Sequence, residues 1–214
     1  MMCEQNMVYL VDDDAAVLKS LARLLQADGL AVHAFDSAAG FLREHDPDVT
    51  GCVVLDMRLP DVGGLAVQQA LAASGAERPI VFMTGYGDVA DSVQAMKAGA
   101  VDFLTKPCDE TELLAAVRKA IARDEEARRV HDELQRIRGR MASLTPREHE
   151  VLQQVVFGRL NKQIAADLGI AEKTIKVHRA RAMEKMGASS LADLVRKTVE
   201  VEAGVVVACG NHHP

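Results

Sequence analysis

Asp12 and Asp13 follow the apolar run 7–11, Asp56 follows the run 52–55, and Lys106 closes Phe103-Leu104-Thr105 just before Pro107. Each charged position stands at the end of a short apolar run of the kind that forms a buried parallel strand. In an open α/β sheet the carboxyl ends of the strands make the ligand-binding edge. Carboxylates gathered there without a counter-charge repel and raise one another's pKa. A divalent cation such as Mg2+, held by one or two carboxylates together with waters and phosphate oxygens, removes that penalty. A lysine beside them suits a phosphoryl group, and a carboxylate left free is a nucleophile able to form an aspartyl phosphate. Taken singly, these residues have plainer uses. Aspartate often caps the helix after a strand, the role expected of Asp14, and Asp56 would serve in a turn before Pro60. Their joint occurrence at three strand ends carries the reading.

The elements that must position these groups are legible as alternation. Strands are expected at 7–11, 31–35, 51–55, 79–83 and 101–104, with amphipathic helices near 15–28, 37–45, 64–73, 88–98 and 110–121. Strand-helix alternation of this kind predicts a parallel (βα)5 sheet covered by helices on both faces. Turn signals at Asp61-Val62-Gly63-Gly64, Gly85-Tyr86-Gly87-Asp88 and Ala98-Gly99-Ala100 fit the same order.

Residues 121–142 are highly charged and lack proline, and apolar side chains recur at Ala127, Val130, Leu134, Ile137 and Met141. That spacing fits a coiled-coil pairing seam, and equally a linker helix whose stripe packs on its own domain. From Ser143 onward the pattern is helical only. Thr145-Pro146-Arg147-Glu148 supplies a cap, a proline at the first helical position and an acid in the first turn. Helices are expected near 146–157, 161–168, 172–186 and 190–200. The pair 161–168 and 172–186, separated by a turn with Gly169, predicts a helix-turn-helix. On its second helix Ile175, Ala182 and Met186 share one face with His178 at the edge, while Lys173, Lys176, Val177, Ala180 and Arg181 occupy the other. A core stripe backed by cations suits a helix lying in a major groove, although Glu172 and Glu184 dilute the charge. The expected organisation is therefore residues 1–122, a helical linker 123–142, and an all-α four-helix domain with a tail, 143–214.

Val11-Asp12-Asp13, Leu55-Asp56-Met57-Arg58-Leu59-Pro60, Met83-Thr84-Gly85 and Phe103-Leu104-Thr105-Lys106-Pro107 together resemble the receiver domain of two-component response regulators. By that resemblance Asp56 accepts phosphate from a sensor histidine kinase. Asp13 ligates Mg2+ directly, Asp12 acts through water, and Asp56 with the Arg58 carbonyl completes the protein ligands. Thr84 and Lys106 bind phosphoryl oxygens, Phe103 is the aromatic switch, and the Lys106-Pro107 bond is cis. Leu144-Thr145-Pro146-Arg147-Glu148, Asn161-Lys162-Gln163-Ile164-Ala165 and Thr174-Ile175-Lys176-Val177-His178-Arg179 resemble the LuxR-type helix-turn-helix of the NarL/FixJ family, in its FixJ-like and styrene-response branch. That implies duplex DNA binding. Lys176 and Val177, with Arg181, are expected at base edges, and Lys162, Lys173, Thr174 and His178 at phosphates. The family further implies a homodimer on phosphorylation and an activator working with RNA polymerase. It implies a phosphoacceptor with slow self-dephosphorylation in place of an enzyme.

Charge and cysteine content agree with two jobs. The net charge is −6, yet residues 1–120 hold 9 Lys/Arg against 18 Asp/Glu, whereas residues 143–214 hold 10 against 8. An acidic front and a slightly basic back point to nucleic acid for the second half. The four cysteines form no C-x-x-C pair, and neither a signal segment nor a membrane-spanning run is evident, so a reducing cytoplasm is expected. Cys108 beside Lys106-Pro107 departs from the aromatic often found there. Arg58 and Tyr86 stand at the pocket rim, and Cys209, His212 and His213 sit in a terminal tail. Two other functions fit parts of the pattern: a Mg2+-dependent aspartyl-phosphate phosphatase or phosphotransferase, and a signalling adaptor that binds no DNA.

Overall fold

The computed structural model describes residues 6–75, 78–85 and 89–204. Cys3, Tyr86, Cys209, His212 and His213 lie outside the described residues. The chain divides into two compact units, Met1–Ala127 and Arg128–Pro214.

The first unit is a five-stranded sheet of order β2-β1-β3-β4-β5, parallel throughout. Its strands are β1 (Met7–Val11), β2 (Ala31–Phe35), β3 (Gly51–Asp56), β4 (Ile80–Thr84) and β5 (Asp102–Thr105). They alternate with α1 (Ala15–Ala27), α2 (Ala38–Glu44), α3 (Gly64–Ser74), α4 (Val89–Lys97) and α5 (Glu110–Ala142). Successive strand side chains point to opposite faces, and the two faces carry separate cores. Val8, Leu10, Cys52, Val54, Val81 and Met83 pack with Leu25 of α1 and with Leu113, Val117 and Ile121 of α5. Tyr9, Val11, Val53, Leu55, Ile80 and Phe82 pack with Phe41 of α2, Val67 and Leu71 of α3, and Ala95 of α4. Burial on both sides explains why the central strands read as unbroken apolar runs. At Gly51 a Cβ would fall 1.8 Å from the Met7 carbonyl oxygen, so the close β1–β3 approach requires glycine there.

The sheet fixes the register of the charged ends. Val11 pairs with Leu55, which sets Asp12 beside Asp56 one step on; Asp56 pairs with Met83, and Thr84 with Thr105.

Two expectations change in detail. The helix expected at 110–121 and the linker helix are one continuous element of 33 residues, α5, because nothing between Glu110 and Ala142 breaks it. Residues 123–142, expected as a helical linker, are helical as the C-terminal part of α5. Asp124 accepts a hydrogen bond from the Gly51 amide (2.9 Å), while Ile137 and Met141 pack into the second unit's core. Leu134 and Ile137 are buried, whereas Ala127 is exposed and Val130 half-buried. The stripe 127–141 is therefore not a free seam: its C-terminal half packs on the chain itself.

The second unit comprises the end of α5 with α6 (Pro146–Val156), α7 (Asn161–Leu168), α8 (Glu172–Met186) and α9 (Leu191–Ala203). Ile137, Val151, Leu152, Val155, Ile164, Ile175, Met186 and Leu194 form its core. The start of α6 is a capping box: the Glu148 amide donates to Thr145 Oγ1 (3.3 Å), and the Thr145 amide donates to Glu148 Oε2 (2.9 Å). Gly169, at φ 64°, ends α7 in the left-handed conformation and turns the chain into α8. Among the described residues, no helix is long and apolar enough to cross a membrane.

Candidate metal centre and nucleic-acid interface

The sheet brings Asp12, Asp13 and Asp56 together, each offering a carboxylate oxygen within 4.8 Å of the others. Oxygen donors this close are hard ligands suited to a small divalent cation. Asp12 is buried and Asp13 exposed, and the Asp56 side chain keeps 12% of its surface. Lys106 Nζ lies 2.5 Å from both Asp12 Oδ2 and Asp56 Oδ2, and so holds the two acids with one charge. Burial works against the charged ammonium, but the hydrogen bonds to Asp12 and Asp56 outweigh it and raise the Lys106 pKa above its ordinary value. The remaining carboxylate oxygens order the adjoining loops. Asp12 Oδ1 accepts the Asp14 amide (3.0 Å), and Asp56 Oδ1 accepts the Arg58 amide (2.8 Å). Asp14 caps α1 through the Ala16 and Val17 amides.

Thr84 ends β4, is fully buried, and accepts the Lys106 amide at its carbonyl (2.6 Å). Lys106-Pro107 is cis. Phe103 is half-buried against the aromatic side of the core, its ring centroid 6.4 Å from that of Phe82. The Arg58 side chain is exposed. Cys108 is half-buried, and burial pushes its thiol pKa up, away from thiolate reactivity. Buried in the sheet, Cys52 is pushed up to about 12 and serves as a small core residue.

In the second unit α8 presents the two faces expected of it. Ile175, Ala182 and Met186 are buried, while Lys173, Thr174, Lys176, Val177 and Arg181 are exposed, as is Lys162 on α7. Lys176 pairs with Glu172 (3.2 Å) on the surface, an exposed ion pair of small energy. His178 is half-buried and its Nδ1 is buried with no hydrogen-bond partner among the described residues, so only part of the ring faces outward.

Three supports of the helix-turn-helix escape a reading of the sequence, because each is a long-range pair. Arg179 Nη1 donates to Asn161 Oδ1 (3.1 Å), tying α8 to the start of α7. Lys185 Nζ binds Glu148 Oε2 (2.6 Å), tying α8 to the capping box of α6. Arg140 donates to the Met186 carbonyl (3.3 Å). The Lys185 and Thr145 hydrogen bonds pull the Glu148 pKa down to about 2. In the first unit the missed residue is Asp61, whose carboxylate accepts the amides of Ala38 (3.4 Å) and Ala39 (3.0 Å) across 22 or more residues of chain.

Two family models match the chain. "Response regulator receiver domain" covers residues 8–118, and "Bacterial regulatory proteins, luxR family" covers residues 142–198. The chain is 46% identical over 207 residues to transcriptional regulatory protein FixJ of Azorhizobium caulinodans, covering 97% of each. It is 44% identical over 195 residues to response regulator protein TmoT of Ectopseudomonas mendocina, covering 91% of this chain and 89% of that one. The solved structure of response regulator StyR superposes with a TM-score of 0.84 at 43% identity, covering 92% of this chain and 99% of that one.

Proposed function

The chain belongs to the two-component response regulators that join a receiver domain to a LuxR-type DNA-binding domain, and from that membership we propose that it is a transcription factor switched by phosphorylation of Asp56. The observation that carries this reading is Lys106 bridging Asp12 and Asp56 at the carboxyl edge of the sheet. The partners of the family are a sensor histidine kinase and duplex DNA.

In the transfer, an Asp56 carboxylate oxygen attacks the phosphorus of the kinase phosphohistidine. The P–O bond forms as the P–N bond breaks, and the imidazole leaves with its electron pair and takes up a proton. Asp13 and Asp56, with the Arg58 carbonyl and with Asp12 through water, would hold Mg2+. That ion, when bound, neutralises charge on the carboxylates and the incoming phosphoryl oxygens. Lys106 exchanges one of its carboxylate partners for a phosphoryl oxygen, and the Thr84 hydroxyl donates to another. The added charge of about −1.5 to −2 and three acceptor oxygens bias Thr84 toward the phosphate. Phe103 then turns inward, and the face formed by α4, β5 and α5 changes shape. The acyl phosphate is lost by slow hydrolysis in the same pocket, so the chain is a phosphoacceptor and no enzyme acting on other substrates.

On DNA, α8 enters the major groove. Lys176 and Val177, with Arg181, face base edges; Lys162, Lys173, Thr174 and the exposed edge of His178 face phosphates. The active form is a homodimer on a two-fold operator, with half-sites about 34–36 Å apart. Exposed apolar side chains on α4 (Val93, Met96) and on α9 (Leu191, Val199) support pairing there, in place of the stripe on α5. The protein works in the cytoplasm as an activator that engages RNA polymerase.

Titration of duplex selected from a random pool, at two salt concentrations and with or without a small acyl-phosphate donor and Mg2+, tests the reading. Binding that weakens steeply with salt and tightens with the donor is expected, with no tightening in Asp56→Asn. Salt-independent or absent binding in both states would favour the adaptor. Turnover of the donor far beyond one equivalent would favour the phosphatase.

A further inference from the structure

We propose that Asp61 is a positioning residue of the Asp56 pocket, a latch that fastens the β3–α3 loop to the start of α2 and thereby places the Arg58 carbonyl. The inference rests on the phosphoacceptor reading and goes beyond it.

The first amides of a helix need partners outside the helix. In α2 the natural supplier is Ser37 at the N-cap position, yet its side chain makes no capping bond. The Ser37 hydroxyl donates to Asp36 Oδ1 instead (3.2 Å). Asp61 fills the role from a distant segment, accepting the Ala38 amide at Oδ1 and the Ala39 amide at Oδ2. A carboxylate is favoured at that end of a helix, and the hydrogen bond from Ala39 foremost holds its pKa below the usual aspartate value.

The latch falls in the middle of the loop between Asp56 and α3. The front of that loop is tied by the Arg58 amide on Asp56 Oδ1 (2.8 Å). Its rear is tied by the Gly64 amide on the Met57 carbonyl (3.0 Å), where a Cβ on Gly64 would sit 2.9 Å from the Asp56 carbonyl oxygen. Between these anchors Met57 and Leu59 pack into the core while Arg58 and Pro60 are exposed, and Asp61 adds a polar tie from this stretch to α2. Releasing it removes one restraint from the segment that carries the Arg58 carbonyl and leaves the core packing of Met57 and Leu59 to hold the rest, although Asp61 touches neither the acids nor Lys106 in any described contact.

The test compares full-length wild type, Asp61→Ala and Asp61→Asn by three readouts: amide hydrogen exchange at Arg58, Mg2+ affinity by calorimetry, and the rate of phosphorylation by acetyl phosphate. Asp61→Ala is expected to exchange Arg58 faster and to bind Mg2+ more weakly, on the order of fivefold for the loss of one cap. It is also expected to slow phosphorylation, with Asp61→Asn, which keeps one acceptor, in between. A variant that loses thermal stability but matches wild type in Mg2+ affinity and Arg58 exchange would reduce Asp61 to a structural cap and overturn the proposal. If Asp61→Ala does not fold, the Asp61→Asn comparison decides on the same terms. Wild type that takes up neither Mg2+ nor phosphate would instead overturn the pocket reading itself.

Discussion

At the scale of single residues, the pocket is governed by one cation serving two acids. With Lys106 replaced by methionine, Asp12 and Asp56 face one another without a counter-charge, and their repulsion must be met by protonation or by a metal ion. Lys106→Met is therefore expected to melt lower than wild type in metal-free buffer and to gain more from added Mg2+. A thermal shift series checks this, and equal Mg2+ gains in both proteins would contradict it. Glu148 gives a second residue-scale prediction. Its folded pKa, about 2, is depressed below the ordinary carboxylate value by Lys185 and Thr145. Its contribution is thus fully present above the unfolded pKa of about 4.5 and is lost as pH falls through about 2. In urea unfolding of the full chain followed by methyl NMR of Ile164 and Ile175, the second unit should weaken across that window. Glu148→Gln should be weaker at neutral pH and flatter below about 4.5. Asp193, which hydrogen bonds from the Ser189 amide and from Lys197 and Arg196 also hold low, contributes a slope of the same sign in both proteins.

At the scale of elements, α8 separates packing from recognition by face. Ile175 is fully buried, so Ile175→Ala should cost roughly 2–5 kcal/mol of second-unit stability, read by the same unfolding assay. Lys173 is exposed on the opposite face, and Lys173→Ala should leave stability unchanged while lowering the slope of DNA affinity against salt by about 1. Reversal of these two effects would mean that the helix presents its other face to DNA. The sequence made such elements legible wherever one face must be apolar. β1, β3 and β4 read as apolar runs because both sides are covered, and α8 reads as a stripe. The three acids and the lysine are visible because each sits at a strand end, so register alone brings them together. Illegible were contacts between residues far apart in sequence, such as Asp61 on the amides of α2 and Lys185 on Glu148. Ser37 stands at the N-cap position of α2 without capping it, and only the folded loop reveals that Asp61 takes those amides. The extent of α5 was also hidden. Its charged middle looks like a linker, whereas Asp124 and Ile137 each belong to a packed unit.

At the scale of the whole molecule, the acidic first half carries a carboxylate pocket and the slightly basic second half carries a cationic helix, each with its own core. That division suits a protein in which one unit receives a signal and the other delivers it. Because Ile137 belongs to the second core, Ile137→Ala should destabilise that unit by roughly 2–5 kcal/mol, whereas loss of dimerisation without destabilisation would restore the α5 stripe as a pairing seam. The claim on which everything else depends is that the transferable group resides on one side chain. It is tested most directly by treating the protein with acetyl phosphate and Mg2+, reducing with borohydride, and locating the product by tandem mass spectrometry. An acyl phosphate on Asp56 is reduced to homoserine at position 56, and that is the predicted result. Homoserine at another position, or none where phosphate has been taken up, would contradict the account.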